Sequence, residues 1–355
     1  MPEPFDTAEA AAAIGLTLIE AADLTWVREI AATNDAITVT YRNARGREIT
    51  NLNAITRLNA LAIPPAYRDV RVSPDPNSHL QAVGTDEAGR VQYRYHPDWD
   101  QVREREKAIR LSRLIKALPA IRRRVASDLK AKGTPKVKAL AATVRLIDSA
   151  HVRVGNDGYL KAHRTRGATT LLKSHIKARG KALALRFTGK SGKRIAKKIE
   201  ASGLARALRS LARLPGRRAF QYRDEEGQIH AVSAADVNAY LADIAGAPVT
   251  AKDFRTLAGS ARAAEALAEM IPAETESRRR RQVSGVIKDV AERLFNTPAV
   301  ARRSYVHDAV IESFEDGTLA ETYAGSRAGN EVSRAERTLA KVVAANPSAR
   351  SDASG

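Results

Sequence analysis

The chain has 355 residues, a formal net charge of +19 and no cysteine. That length exceeds what one hydrophobic core usually serves, so two domains are expected, and the missing cysteines exclude disulfides, thiolate metal sites and cysteine nucleophiles. The charge points to a polyanionic partner. It is also concentrated, with 18 Lys or Arg against the single acid Glu200 between Lys161 and Arg218. Apolar residues interleave through that stretch, which favours a folded basic surface over a solvated arm. The first residues are acidic where a secretory signal would be positive, and no stretch approaches a membrane span, so a cytoplasmic, soluble protein is expected.

Residues 1–20 are Ala-rich and weakly patterned, and read as a flexible lead-in. Ile37, Val39 and Tyr41 then alternate as in a strand, and a turn over 43–47 precedes Ile49. Residues 53–61 suit a short helix that Pro64 and Pro65 stop. Residues 80–83 and 91–95 read as a hairpin around a polar turn. Its second strand is Gln92-Tyr93-Arg94-Tyr95-His96, with both tyrosines on one face, either packed or offered to a ligand.

After Pro97 the texture becomes helical. Ile109, Leu114, Leu118, Ile121, Val125 and Leu129 form an apolar stripe over 104–132, with Pro119 a candidate break. Thr134-Pro135 marks the start of a helix with Val137, Leu140, Val144 and Ile147 on one face. Residues 169–176, 182–187 and 194–199 suggest a small three-stranded sheet, with Lys190 at the tip of the turn 188–192. A short hairpin is expected over 220–232. Ser233 and Thr250 start helices, a helix runs from about Glu276 to Leu294, and Thr297-Pro298 starts the next. Ser333 caps a last helix, and residues from Pro347 onward read as disordered. The fold class expected is α+β: an antiparallel β-sheet domain over 21–98, then a larger, mostly helical domain over 99–325, and a C-terminal helix and tail over 326–355.

Four stretches combine a basic residue with fixed local structure: His151 to Asn156 with Arg153, Gly189 to Gly192 with Lys190, Lys252 to Thr256 with Arg255, and Asn296 to Tyr305. Two arginines, a lysine, an amide and a tyrosine suit attack on a phosphodiester. Only about one phenol in a thousand is ionised at neutral pH. Guanidinium groups would favour the phenolate and bind the non-bridging oxygens as charge builds on phosphorus. Lys190 suits the general acid for the leaving sugar oxygen. The arginines neutralise charge and the sequence shows no carboxylate cluster, so no cofactor is expected. Taken singly, each residue has a plain alternative: Arg153 as a helix cap, Lys190 as a solvated turn residue, Tyr305 as core.

In this order, Arg153-Val-Gly-Asn, Phe187-Thr-Gly-Lys-Ser-Gly, Lys252-Asp-Phe-Arg-Thr and Asn296-Thr-Pro-Ala-Val-Ala-Arg-Arg-Ser-Tyr resemble a type IB DNA topoisomerase of the bacterial, poxvirus-like kind. Ile63-Pro-Pro-Ala-Tyr67 and Gly89-Arg-Val-Gln-Tyr-Arg-Tyr-His96 extend the resemblance upstream, to about residues 25–320. The resemblance implies that Tyr305 is the nucleophile forming a 3′-phosphotyrosyl bond, Arg153 and Arg255 bind the scissile phosphate, and Lys190 protonates the 5′-oxygen. Asn296 stands where many members have histidine, and its amide suits a neutral donor to a non-bridging oxygen. Gln92, Tyr93 and Tyr95 match a strand contacting DNA in the major groove, Tyr159 matches a phosphate contact, and Lys252 belongs to the same contact set. Leu257 departs from the aromatic common after Arg-Thr, a matter of local packing. The implied enzyme is a nucleoid-associated monomer, a two-lobed clamp closing around duplex DNA, preferentially supercoiled, without ATP or metal. The rivals are a tyrosine recombinase, against which the strand-rich N-terminal stretch argues, and a non-catalytic architectural DNA-binding protein.

Overall fold

A change of sequence period from two to about 3.6 near residue 97 separates a strand-rich stretch from a mostly helical one. The computed structural model describes residues 5–32 and 37–345. In chain order they form α1 (Thr7–Ala12), β1 (Trp26–Ala32), β2 (Ile37–Arg42), α2 (Leu52–Ala60), β3 (Arg68–Val72), β4 (Leu80–Thr85), β5 (Val91–Tyr95), α3 (Trp99–Asp128), α4 (Lys136–Ala150), α5 (Asp157–His163), β6 (Ile176–Arg179), β7 (Ala182–Thr188), β8 (Arg194–Glu200), α6 (Ser202–Leu211), β9 (Gln221–Arg223), β10 (Ile229–Ala231), α7 (Ala234–Ala245), α8 (Asp253–Ala268), α9 (Glu276–Arg293), α10 (Pro298–Tyr305), α11 (Asp308–Glu315), α12 (Thr318–Ala324) and α13 (Arg334–Ala345). The fold is α+β, as expected. The chain divides into two units at Glu106/Lys107, inside α3. The expected disorder from Pro347 onward lies outside the described residues.

The N-terminal unit carries a five-stranded antiparallel sheet, ordered β2-β1-β3-β4-β5. Tyr41, Ile49, Leu58, Val70, Val72 and Ala82 form its core. The turn between β4 and β5 is built by Asp86, whose carboxylate accepts from the amides of Ala88 and Arg90 and from the side chains of Arg90 and Gln92. The Arg90 side chain leads these bonds in holding the carboxyl at about 2. β1 carries no clean alternation, whereas in β3 exposed Asp69 and Arg71 alternate with buried Val70 and Val72. β1 holds the buried Arg28, whose guanidinium donates to the carbonyls of Ile63, Pro64 and Tyr67 and so fixes the Ile63-Pro-Pro-Ala-Tyr67 loop. The lead-in is more ordered than expected: Asp6 caps α1, and Ala10 and Ala11 are buried in a small cluster with Leu16, Trp99 and Val102.

In the C-terminal unit, α3 runs unbroken through Pro119. Proline inside a helix costs about 3 kcal/mol. The expected stripe is buried from Ile109 to Leu129, and burying even two such side chains, at roughly 1.5–3 kcal/mol each, offsets that cost. Along β7 and β8, Leu183, Leu185, Phe187 and Ile195 face the core while Arg186, Arg194 and Lys198 face solvent. Most of residues 169–176 is not strand. Short 3-10 turns at Ala168–Thr170 and Lys173–His175 stand there, and only Ile176 enters the sheet β6-β7-β8. The reason is a competing partner, since the amides of Ala168 and Thr169 donate to the carbonyls of Arg153 and Val154.

α13 shares the C-terminal unit's core through Leu339, Val342 and Val343. Arg122 of α3 ties it in, bonded at 2.8 Å to both Asp148 of α4 and Glu336 of α13.

Candidate active site

Four backbone devices present the expected side chains within the C-terminal unit. α4 ends where His151 turns left-handed at φ 54°, releasing the chain toward Arg153. Behind Arg153, a Cβ on Gly167 would lie 2.5 Å from the Arg153 carbonyl, so only glycine lets these strands of chain cross. Asn156 caps α5, accepting from the amides of Gly158 and Tyr159. Lys190 stands in the 3-10 turn Lys190–Gly192 joining β7 to β8, and Arg255 lies in the first turn of α8, just after Lys252 at its cap. At the end of α9, left-handed Phe295 (φ 53°) aims Asn296 inward, with the Asn296 amide bonded back to Ala291. Thr297 and Pro298 then start α10, whose last residue is Tyr305.

These devices bring Arg153, Arg255, Asn296 and Tyr305 together. The Arg255 and Arg153 guanidinium carbons lie 4.7 and 6.0 Å from the centre of the Tyr305 ring. Arg153 donates to the Asn296 side-chain carbonyl at 2.7 Å, and the Asn296 amide nitrogen donates to the Leu294 carbonyl at 3.2 Å. Arg255, only 3% exposed, donates through one terminal nitrogen to the His151 carbonyl and through the other to Leu294 O at 2.8 Å. Its Nε is buried without a partner among the described residues.

Electrostatics follow from this packing. Burial pushes the Tyr305 phenol up, but the positive charges of Arg255 and Arg153, a hydrogen bond from Arg255 and a smaller contribution from Lys252 outweigh burial and leave its pKa below the usual value near 10. Burial lowers the Arg255 pKa from its usual value. Burial, reinforced by the charge of Lys197, holds the His151 imidazole at about 4. Lys197 itself, donating to Ala150 O at 2.9 Å, is pushed down to about 8 by burial and by Arg255 and Arg293.

Lys190 is exposed, with its ammonium 5.3 Å from the centre of the Tyr159 ring, itself exposed. It lines one small pocket with Arg153 and Arg255, alongside Arg166 and Lys193. Sequence reading did not single out Arg166 or Lys193. The usable signal was Gly167, whose required close approach brings Arg166 beside the Arg153 turn. Among the described residues no group of three or more His, Asp or Glu is placed to hold a metal ion.

The expected DNA-contact strand, β5, lies in the N-terminal unit. Tyr93 is 46% exposed and stacks on Tyr95, ring centres 6.3 Å apart. Tyr95 is half-buried, braced by Trp99 at 6.4 Å and by the Arg103 guanidinium at 4.7 Å. The strand alternation puts Gln92 on the opposite face from both tyrosines, bonded to Asp86 at 2.9 Å.

Comparison with known proteins agrees with this organisation. Residues 96–331 match the family model of the eukaryotic DNA topoisomerase I catalytic core, and residues 38–86 match that of the bacterial DNA topoisomerase IB N-terminal domain. The chain is 32% identical over 283 residues to the DNA topoisomerase 1B of Acanthamoeba polyphaga mimivirus, covering 78% of this chain and 84% of the viral protein.

Proposed function

The chain belongs to the type IB DNA topoisomerase family, and from that premise we propose that it relaxes supercoiled duplex DNA through a covalent bond to Tyr305. The Tyr305 phenolate oxygen attacks the scissile phosphorus. The bond from phosphorus to the 5′-oxygen breaks, and that oxygen takes a proton from the Lys190 ammonium. The product is a 3′-phosphotyrosine and a free 5′-hydroxyl. The energy of the phosphodiester is kept in the new ester, so the free strand swivels and the 5′-hydroxyl attacks to reseal with no nucleotide consumed.

The observation that carries this reading is the pair of guanidinium groups at 4.7 and 6.0 Å from the Tyr305 ring. They favour the phenolate before attack and neutralise the extra charge on the pentacoordinate phosphorus during it. Arg255, held on two main-chain carbonyls, meets that charge without reorganising. Asn296 keeps one amide hydrogen beyond its bond to Leu294, which suits a neutral donor to a non-bridging oxygen.

Tyr93 and Tyr95 on one face of β5 and Gln92 on the other, with Tyr159 and Lys252 in the C-terminal unit, are proposed to contact the duplex. The basic stretch from Lys161 to Arg218 is proposed to hold phosphates, so that binding weakens steeply with salt. The enzyme is proposed to act in the nucleoid as a monomer whose two units close around the helix, with a preference for supercoiled substrate.

The test is relaxation of supercoiled plasmid in EDTA without ATP. Wild type should relax it, and Tyr305→Phe should lose at least about 10⁴-fold in rate. Unchanged supercoiling by the wild type, or equal relaxation by both, overturns the proposal.

A further inference from the structure

The phenol of Tyr305 is aimed by its own main chain, and that main chain is fastened from outside α10. The Ser260 hydroxyl, fully buried on α8, donates to the Tyr305 carbonyl at 3.1 Å and accepts from the His307 amide at 3.0 Å. A hydroxyl has one hydrogen to give and lone pairs to receive, so this one side chain satisfies both groups on either side of Val306. The preceding residue sets the spacing: a Cβ on Gly259 would lie 2.5 Å from the Tyr305 carbonyl oxygen. A second fastening comes from α3. The Lys107 ammonium donates to the carbonyls of Arg303 and Val306, at 3.2 and 3.1 Å, at the end of α10 where helical carbonyls lack helical partners. α8 therefore carries both Arg255 in its first turn and, five residues on, the serine that grips the Tyr305 peptide. One rigid helix sets the distance between guanidinium and phenol from both sides.

We propose that Ser260, supported by Lys107, is a positioning residue for the reaction, holding the Tyr305 main chain so that the phenol stays over the Arg255 guanidinium. The proposal rests on Tyr305 being the nucleophile. Neither residue touches the reacting atoms. Removing the Ser260 hydroxyl leaves the buried Tyr305 carbonyl and His307 amide without their partner, and the end of α10 is then free to drift from α8.

The experiment is an ultraviolet difference titration of the Tyr305 phenol, taken as wild type minus Tyr305→Phe and as Ser260→Ala minus the double variant. The other tyrosines cancel. The groups facing this phenol are Arg255 and Lys252 on α8 and Arg153 after α4. With wild type, ionisation should fall below the ordinary phenol value. In Ser260→Ala it should move back up by about half a unit or more, because distance weakens the guanidinium field. Single-turnover cleavage should slow by about tenfold, while affinity for DNA, compared in the Tyr305→Phe background, should stay within about twofold, since no ligand contact is lost. Lys107→Met should give a smaller shift in the same direction, and Lys107→Arg, which keeps a donor, should restore it. If Ser260→Ala misfolds, the Lys107 pair decides alone. A variant that melts earlier yet titrates and cleaves as wild type overturns the proposal. A wild type that forms no adduct on Tyr305 overturns the assignment of the nucleophile, whereas the titration still reports whether Ser260 aims the phenol.

Discussion

Arg255 and Lys190 line the same pocket and carry the same charge, but they are built in opposite ways. Arg255 is 3% exposed and has two nitrogens bound to carbonyls from two other segments. Lys190 stands exposed on a 3-10 turn between two strands, near the exposed ring of Tyr159. The difference matches the two proposed jobs. A group that stabilises charge on phosphorus works best when fixed beforehand, since every degree of reorganisation subtracts from its effect. A group that hands a proton to a departing oxygen must meet an atom that moves, and an exposed position on a turn leaves it free to follow. The comparison predicts that substitutions on the two sides fail differently.

The largest expected loss after that of the nucleophile itself is at the fixed side. Arg255→Ala should slow single-turnover cleavage by about 10²–10³-fold, and should also lower the melting temperature, because the His151 and Leu294 carbonyls lose a buried donor. Arg255→Lys should recover little of the rate, since one ammonium cannot serve both carbonyls and the phosphate as a planar fork does. Equal melting temperatures for wild type and Arg255→Ala would break the comparison. Lys190→Ala should cost about 10²-fold in cleavage with no change in melting temperature. Its signature is selective rescue: a substrate with sulfur in place of the 5′-bridging oxygen leaves without a proton, so the variant should cleave it nearly as fast as wild type does. Absence of rescue would remove Lys190 from the general-acid role.

The smallest expected effect concerns stability in acid. His151 and His307 are both held at about 4, burial being the main cause, against about 6.5 when unfolded. Their folded pKa values are depressed, so their contribution is complete above pH 6.5 and is lost as pH falls toward and through 4. Melting temperature should therefore drop across that window. His307→Gln should be less steep there than wild type by about one proton, as read from the pH dependence of unfolding.

Much of the site was legible because its devices are local. A helix end followed by the turn that presents Arg153, a tight turn at Lys190, the first turn of α8 and the Thr297-Pro298 start are each written within a few residues. What escaped depends on partners distant in sequence. β1 reads poorly as a strand because Arg28 sits inside it, and its burial makes sense only with carbonyls 35 to 39 residues away. Thr169, where a strand was expected to begin, follows the Arg153 turn instead, because its amide and that of Ala168 are claimed by the carbonyls of Val154 and Arg153. Ser260 looks like any small residue on a buried helix face. Its role appears only when Tyr305, 45 positions on, is packed against it. The Tyr93 and Tyr95 pair was legible as sharing a face, but their different exposure was not, since it is set by Trp99 and Arg103.

The central claim, that the buried phenol between two arginines is the group that takes the phosphate, is tested most directly by mapping the covalent adduct. A duplex whose cut strand ends just beyond the scissile bond loses the short downstream fragment that bears the 5′-hydroxyl and cannot be resealed, so the intermediate accumulates and survives denaturant. After protease and nuclease digestion, mass spectrometry should find one nucleotide joined through its 3′-phosphate to the peptide containing Tyr305. A 5′-linked nucleotide, a different modified residue, or no adduct at all would contradict the account.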